Sequence, residues 1–278
     1  MDDALFSYAS AEDPALQRAF IRLVEHATGQ PRLKRLYFEH QRNPRAGETF
    51  WAAAIRLLEL DIRFDAVALA GIPREGPLLV VANHPYGVLD GLAVGWLTAQ
   101  ARRDFVILTN AVLLRAPEIR DFVLPVDFSE TSAARETNLA SRAAARTHLQ
   151  RGGAVVIFPA GAVSTSSDFC GRSPAIDAPW TSFVAQLAQR TRATIVPIWL
   201  AGQNSRCFQI ASHISVTLRL APLFHEVNRR SGSALRVEIG DPIAFDSLSA
   251  FPDRRSLTEH LRAVTYALAR GRPSTPSV

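Results

Sequence analysis

The sequence predicts an α/β fold: a mixed, largely parallel sheet covered by helices, with further helices at the N-terminus. Three observations carry this. Short apolar runs rich in β-branched residues recur between turn residues. Segments with helical periodicity separate several of those runs, as expected for strands that pair in parallel through helical crossovers. The chain has 278 residues, 47% apolar and 21% charged, which is enough for one large core at an ordinary globular balance.

The elements follow in order. Residues 14–28 place Leu16, Phe20, Leu23 and Val24 at helical spacing, and 50–60 (FWAAAIRLLEL) read as a second helix, apolar on one side. PLLVVAN (77–83) is the first strand, followed by a helix over 90–101 and the strand DFVILT (104–109). A helix over 133–150 leads to the strand AVVIFPA (154–160), and one over 180–191 to the strand ATIVPIWL (193–200). ISVTLRLA (214–221) and ALRVEIG (234–240) read as strands. The last helix, 255–270, presents Leu257, Leu261, Val264 and Leu268 at spacings of four, three and four. The expected organisation is an N-terminal helical region (1–60) packed on the core, an α/β domain (61–270) and a disordered Pro- and Ser-containing tail (271–278).

The formal charge of +5 suits anionic partners such as membrane surfaces and phosphate-bearing carriers. Basic and aromatic residues do not interleave on a platform, so no nucleic acid is expected. The start, MDDALFSYASAEDP, is acidic and lacks an apolar signal region, and no run of about 18 apolar residues occurs. Any membrane contact is therefore expected to be peripheral, on the inner face, by a cytoplasmic protein. Cys170 and Cys207 belong to no CxxC pair, and no His/Cys cluster has zinc spacing, so no metal is expected.

Three apolar strands end in Pro/Gly corners. The first strand runs into Asn83-His84-Pro85-Tyr86-Gly87-Val88-Leu89-Asp90-Gly91. A lone histidine at a strand end is more often structural than catalytic. Here Asp90 lies six positions on, so the two can form an imidazole–carboxylate pair that fixes the tautomer and frees the outer nitrogen to take a proton. His26, His40, His148 and His260 lie in helical tracts, and His213 and His225 flank the 214–221 run; none has such surroundings. The second corner, Phe158-Pro159-Ala160-Gly161-Ala162-Val163-Ser164, read alone is more often a plain strand–loop transition; the alternative is a glycine turn that brings backbone N–H groups to a ligand. The third is Val196-Pro197-Ile198-Trp199-Leu200-Ala201-Gly202-Gln203-Asn204-Ser205. Three corners of one style suggest one shared cleft.

Together these motifs resemble the glycerolipid (lysophospholipid) acyltransferase family, and more closely its hemolysin-like branch, which includes ornithine-lipid acyltransferases. That branch has NHPxGxLDG and FPAGxxS; this chain reads NHPYGVLDG, FPAGAVS and VPIWLAGQNS, over roughly residues 20–265. The resemblance implies a glycerol-3-phosphate acyltransferase-like fold and an O-acyltransferase. The fatty acyl group would pass from acyl carrier protein or a coenzyme A thioester, as co-substrate rather than bound cofactor, to the hydroxyl of a lysolipid. It makes His84 the general base and Asp90 its partner. It assigns Asn83, Pro85, Gly87, Phe158, Pro159, Ala160, Gly161, Ser164 and Asn204 to substrate binding. Two departures bear on the acceptor. Ala160 stands where most members have glutamate, and VLPVDF (123–128) offers no arginine where the family has its glycerol-phosphate motif. Both favour a lyso-amino-acid lipid such as lyso-ornithine lipid over lysophosphatidic acid.

Other readings weighed are a thioester or lipid hydrolase, a nucleotide-binding enzyme and a non-catalytic membrane-lipid binding protein. GxSxG, GxxxxGK[ST] and GxGxxG are all missing from the sequence. Cys170 follows the second corner, but no motif pairs it with a base.

Overall fold

The computed structural model describes residues 15–27, 29–129, 131–214 and 222–270. Three helices open the described chain: α1 (Ala15–Ala27), α2 (Gln30–Arg42) and α3 (Phe50–Leu57). Then follow β1 (Asp61–Arg63), α4 (Ala66–Ala70), β2 (Leu78–Ala82), α5 (Val88–Ala101) and β3 (Phe105–Asn110). Two 3₁₀ turns, Ala111–Arg115 and Pro117–Phe122, lead to β4 (Val123–Val126), α6 (Ser132–Gln150) and β5 (Ala154–Ile157). A small hairpin of β6 (Thr165–Ser166) and β7 (Ala175–Ile176) precedes α7 (Phe183–Thr191) and β8 (Thr194–Leu200). The chain continues through α8 (Arg206–Ile214), α9 (Leu223–Arg230), β9 (Ala234–Ile239), α10 (Phe245–Leu248) and α11 (Arg254–Ala267).

Among the described residues, seven strands form one sheet in the order β1-β9-β8-β2-β5-β3-β4. Every pair is parallel except β8 with β9. The central strand β2 is buried at all five residues, which is why it reads as an unbroken apolar run. Its period of two divides the core. Leu78, Val80 and Ala82 are buried with Trp51 of α3 and with Val94 and Leu97 of α5. Leu79 and Val81 are buried with Leu149 of α6, Val184 and Leu187 of α7, and Leu257 and Leu261 of α11. Each such side chain contributes roughly 1.5–3 kcal/mol by leaving water, so the two faces hold the three layers together. Local chemistry sets the helix starts. Thr49, Thr131 and Asp253 cap α3, α6 and α11 by accepting from the N–H groups of Ala52, Ala134 and Ser256.

The structure departs from the sequence reading in places. The strand expected over 154–160 stops at Ile157, because Pro159 has no N–H to offer a ladder. The helix expected over 180–191 starts at Phe183, after Trp180 has turned inward. Ile214 ends a helix, and the rest of the strand expected at 214–221 lies outside the described residues. So does the tail 271–278. His213 and His225 lie in α8 and α9. The sequence reading missed α2, whose basic residues mask Leu33 and Leu36, and the edge strand β4, which is four residues long and contains Pro125.

The topology sets the site. β2 lies between β8 and β5, in register at Val81–Ile157 and Ala82–Ile198. The three Pro/Gly corners therefore leave the carboxyl ends of three neighbouring parallel strands, the edge where open α/β sheets hold their ligands.

Candidate active site

His84 is the second residue after β2, and α5 begins only four residues later. Gly87 makes the turn at φ 80°, in the left-handed region; a Cβ there would stand 3.1 Å from Leu223 and 3.2 Å from Val163. The turn brings Asp90, in the first turn of α5, back to His84, with Nδ1 of the imidazole 2.9 Å from Oδ2 of the carboxylate. The same oxygen accepts the N–H groups of Tyr86 and Gly87, each at 2.8 Å. Asp90 thus does two things: it satisfies donors at a helix start and it orients the base. Its side chain is 0% exposed and that of His84 is 18% exposed. Burial pushes the Asp90 carboxyl above its usual range, and the imidazole and the two N–H groups pull against that shift. With Nδ1 on Asp90, Nε2 is the nitrogen left for proton transfer.

The second corner braces this pair. The Phe158 ring stacks on His84 at 4.3 Å between centroids and 27° between planes. Ser164 N–H donates to the His84 carbonyl at 2.8 Å, and its hydroxyl donates to Asp177 at 2.5 Å. Asp177 is the residue that the sequence reading missed. Its carboxylate also accepts the backbone N–H of His84 at 3.1 Å and Trp180 Nε1–H at 2.8 Å. Tyr266 and Arg262 of α11 hold its backbone N–H and carbonyl. The Tyr266 phenol is pushed up to about 12, first by burial and then by the Asp177 charge. A lone acid in SPAIDAP carries no signal of this; only the fold brings it to His84.

The third corner holds the first from behind. Asn83 donates to the Leu200 carbonyl at 3.0 Å and accepts the Leu200 N–H at 2.7 Å, tying β2 to β8 where both end. The Tyr86 hydroxyl donates to the Ala201 carbonyl at 2.7 Å, and Arg230 stacks on its ring at 4.8 Å. Gly202 permits this approach, since a Cβ there would come within 1.9 Å of the Tyr86 hydroxyl. Asn204 is buried behind Tyr86, with Nδ2 3.5 Å from the Tyr86 carbonyl.

A cleft of about 1140 Å³ opens over His84. Of the residues expected at the substrate, His84, Gly87, Phe158, Pro159 and Gly161 line it. Asn83, Pro85, Ser164 and Asn204 are buried and do not line it, and Ala160 packs against the core on the far side of the sheet. The remaining walls are mainly apolar. Leu33 and Leu36 of α2, Trp51 and Leu57 of α3 and Leu92 of α5 form one side. Thr109, Asn138 and Arg142 give the other a polar rim. Cys170 and Cys207 are exposed free thiols away from the cleft. Among the described residues, no group of three or more His, Cys, Asp or Glu could hold a metal ion.

The chain is similar to known acyltransferases. Two lyso-glycine lipid O-acyltransferases are similar over most of their length. That of Bacteroides thetaiotaomicron is 22% identical over 239 residues, 83% of this chain and 84% of the relative. That of Phocaeicola vulgatus is 20% identical over 260 residues, 91% and 88% of the two chains. The crystal structure of PlsC, the 1-acyl-sn-glycerophosphate acyltransferase of Thermotoga maritima, shares the fold with a TM-score of 0.50 at 14% identity, covering 94% of this chain and 90% of that one. The family model described as Acyltransferase matches residues 22–272, nearly the whole described chain, and the protein belongs to that acyltransferase family.

Proposed function

We propose that the protein acylates the hydroxyl of a lyso-amino-acid lipid, with a glycine or an ornithine head group, using an acyl carrier protein or coenzyme A thioester as donor. The observation that carries this is a buried, doubly anchored carboxylate orienting a histidine that opens into a large apolar cleft. His84 Nε2 takes the proton of the acceptor hydroxyl as its oxygen attacks the thioester carbonyl. Asp90 stabilises the imidazolium. When the tetrahedral intermediate collapses, the C–O ester bond remains, the C–S bond breaks and the thiolate takes the proton from His84. No acyl-enzyme is needed. The amino-acid head group is supported by the names of the two relatives from Bacteroides and Phocaeicola and by the lack of an arginine in VLPVDF (123–128), the stretch that stands near the family's glycerol-phosphate motif.

The reaction needs a lipid surface, and α1 offers one contact. Leu16 and Leu23, two helical turns apart, are 88% and 66% exposed on a helix that also carries Arg18 and Arg22. No helix among the described residues is long and apolar enough to cross a membrane. We take the protein to act on the inner face of the cell membrane through this helix. The test is transfer of labelled acyl groups from acyl carrier protein and from acyl-coenzyme A to lyso-glycine lipid, lyso-ornithine lipid and lysophosphatidic acid in mixed micelles. Label in an amino-acid lipid, lost in His84→Ala, is the expected result; label in lysophosphatidic acid alone overturns the acceptor, and free fatty acid without acceptor overturns the transferase reading.

A further inference from the structure

Among the described residues that line the cleft, Arg142 is the only arginine or lysine. It sits on α6 with Asn138 one turn before it and Ser141 beside it, and all three face the cleft. Its guanidinium lies over the Phe183 ring at 5.0 Å from the centroid. This contact steadies the side chain and leaves the N–H fork free. Among the described residues it forms no ion pair, although the protein's other buried and surface acids have taken many of their neighbouring arginines. The position is tied to the reacting corner: the Pro159 carbonyl accepts the Thr181 N–H at 3.0 Å, and Phe183 follows two residues later. Both Pro159 and Thr181 line the same cleft as His84. A guanidinium without an ion pair at the rim of the cleft, whose lining also includes Asp127 and His40, can recognise an oxyanion, and its planar fork fits a carboxylate or phosphate.

We propose that Arg142 binds the anionic head group of the acceptor lysolipid, fixing which end of the lipid stays at the rim while its hydroxyl reaches His84. This rests on the acyl-transfer reading above. A thioester donor also carries phosphate, so the two sources of an oxyanion must be separated. The experiment compares wild type, Arg142→Lys and Arg142→Met, all checked for unchanged melting temperature. The probes are a lysolipid with a glycine head group and its neutral methyl ester, with acceptor and donor varied in turn. Binding of the same two lipids in neutral detergent is measured without donor. In Arg142→Met the KM for the anionic acceptor should rise roughly tenfold, the loss of one charge-assisted contact at a solvated rim, with kcat nearly unchanged. Arg142→Lys should restore part of the affinity, and the methyl ester should not distinguish wild type from Arg142→Met. A KM change confined to the donor, or unchanged acceptor KM and affinity, overturns the assignment. Head-group binding lost in Arg142→Met, in a protein that transfers nothing, would instead keep the anion site and sink the acyl-transfer reading.

Discussion

At the carboxyl end of β2 the chain turns within a few residues into α5. At the carboxyl end of β5 it runs through a long loop and a two-stranded hairpin before α7 begins. Both corners are an apolar strand followed by proline and a positive-φ glycine, Gly87 in one and Gly161 in the other. The difference lies in what comes next. A helix start places its first-turn acid against the preceding loop, so Asp90 can serve both the Gly87 N–H and His84. A corner with no helix behind it has no such acid, and it contributes a ring, Phe158, and a tether, Ser164. In this molecule the proton-transfer pair is made by a strand-to-helix turn, and the brace by a strand end alone.

This contrast can be broken at four places, taken from the largest expected effect. His84→Ala should lower kcat by about 10²–10⁴-fold, the usual worth of a general base. A residual rate near wild type would move the chemistry away from the first corner.

Asp90→Asn should cost activity by a similar factor, since a neutral amide cannot stabilise an imidazolium. Its stability should move the other way. The folded protein holds the Asp90 proton to higher pH than the unfolded chain does, so between those two values the native state binds more protons and stability falls as pH rises. The amide keeps an oxygen for the two N–H groups and removes that penalty. Thermal unfolding at neutral pH should therefore show Asp90→Asn at or above wild type, converging with it on acidification below the usual carboxylate range. A variant that is less stable at neutral pH would show that the carboxylate is a net structural contributor.

Asp177→Ala tests the second corner. It leaves the Ser164 hydroxyl and Trp180 indole N–H without their acceptor and frees the backbone at His84. Losing contacts to a charged acceptor, at roughly 1.5–3 kcal/mol each, should lower the melting temperature by about 10 °C or more and kcat by roughly 10- to 100-fold while the acceptor KM stays put. A loss of stability with full kcat would make Asp177 a fold residue only. The smallest effect is expected from Cys170→Ala, an exposed thiol outside the cleft, which should leave both rate and its pH profile unchanged. Loss of turnover there would point to a covalent route.

The site was legible where chemistry and local sequence coincide. NHPYGVLDG carries the base, the turn glycine and the acid within eight residues, so the pair follows from the strand, the turn and the helix start alone. Asn83 and Asn204 show the opposite. As polar residues at strand ends they look like ligand groups, yet both face inward, because each meets backbone groups that β8 and the first corner leave without partners. Ala160, after the strand has ended, packs against the far core, a placement that its sequence position did not reveal.

By itself the sequence determined the alternation of strands and helices, the unbroken apolar run of β2 that marks the sheet's centre, and the His84–Asp90 pair. All of these depend on periodicity or on residues close along the chain. Only the tertiary structure decided the strand order that sets three corners side by side, the arrival of Asp177 from 93 residues away to hold His84, and the walls of the cleft from α2 and α6. Those outcomes follow from which faces the elements bury against one another, a long-range packing choice that no local window of sequence contains.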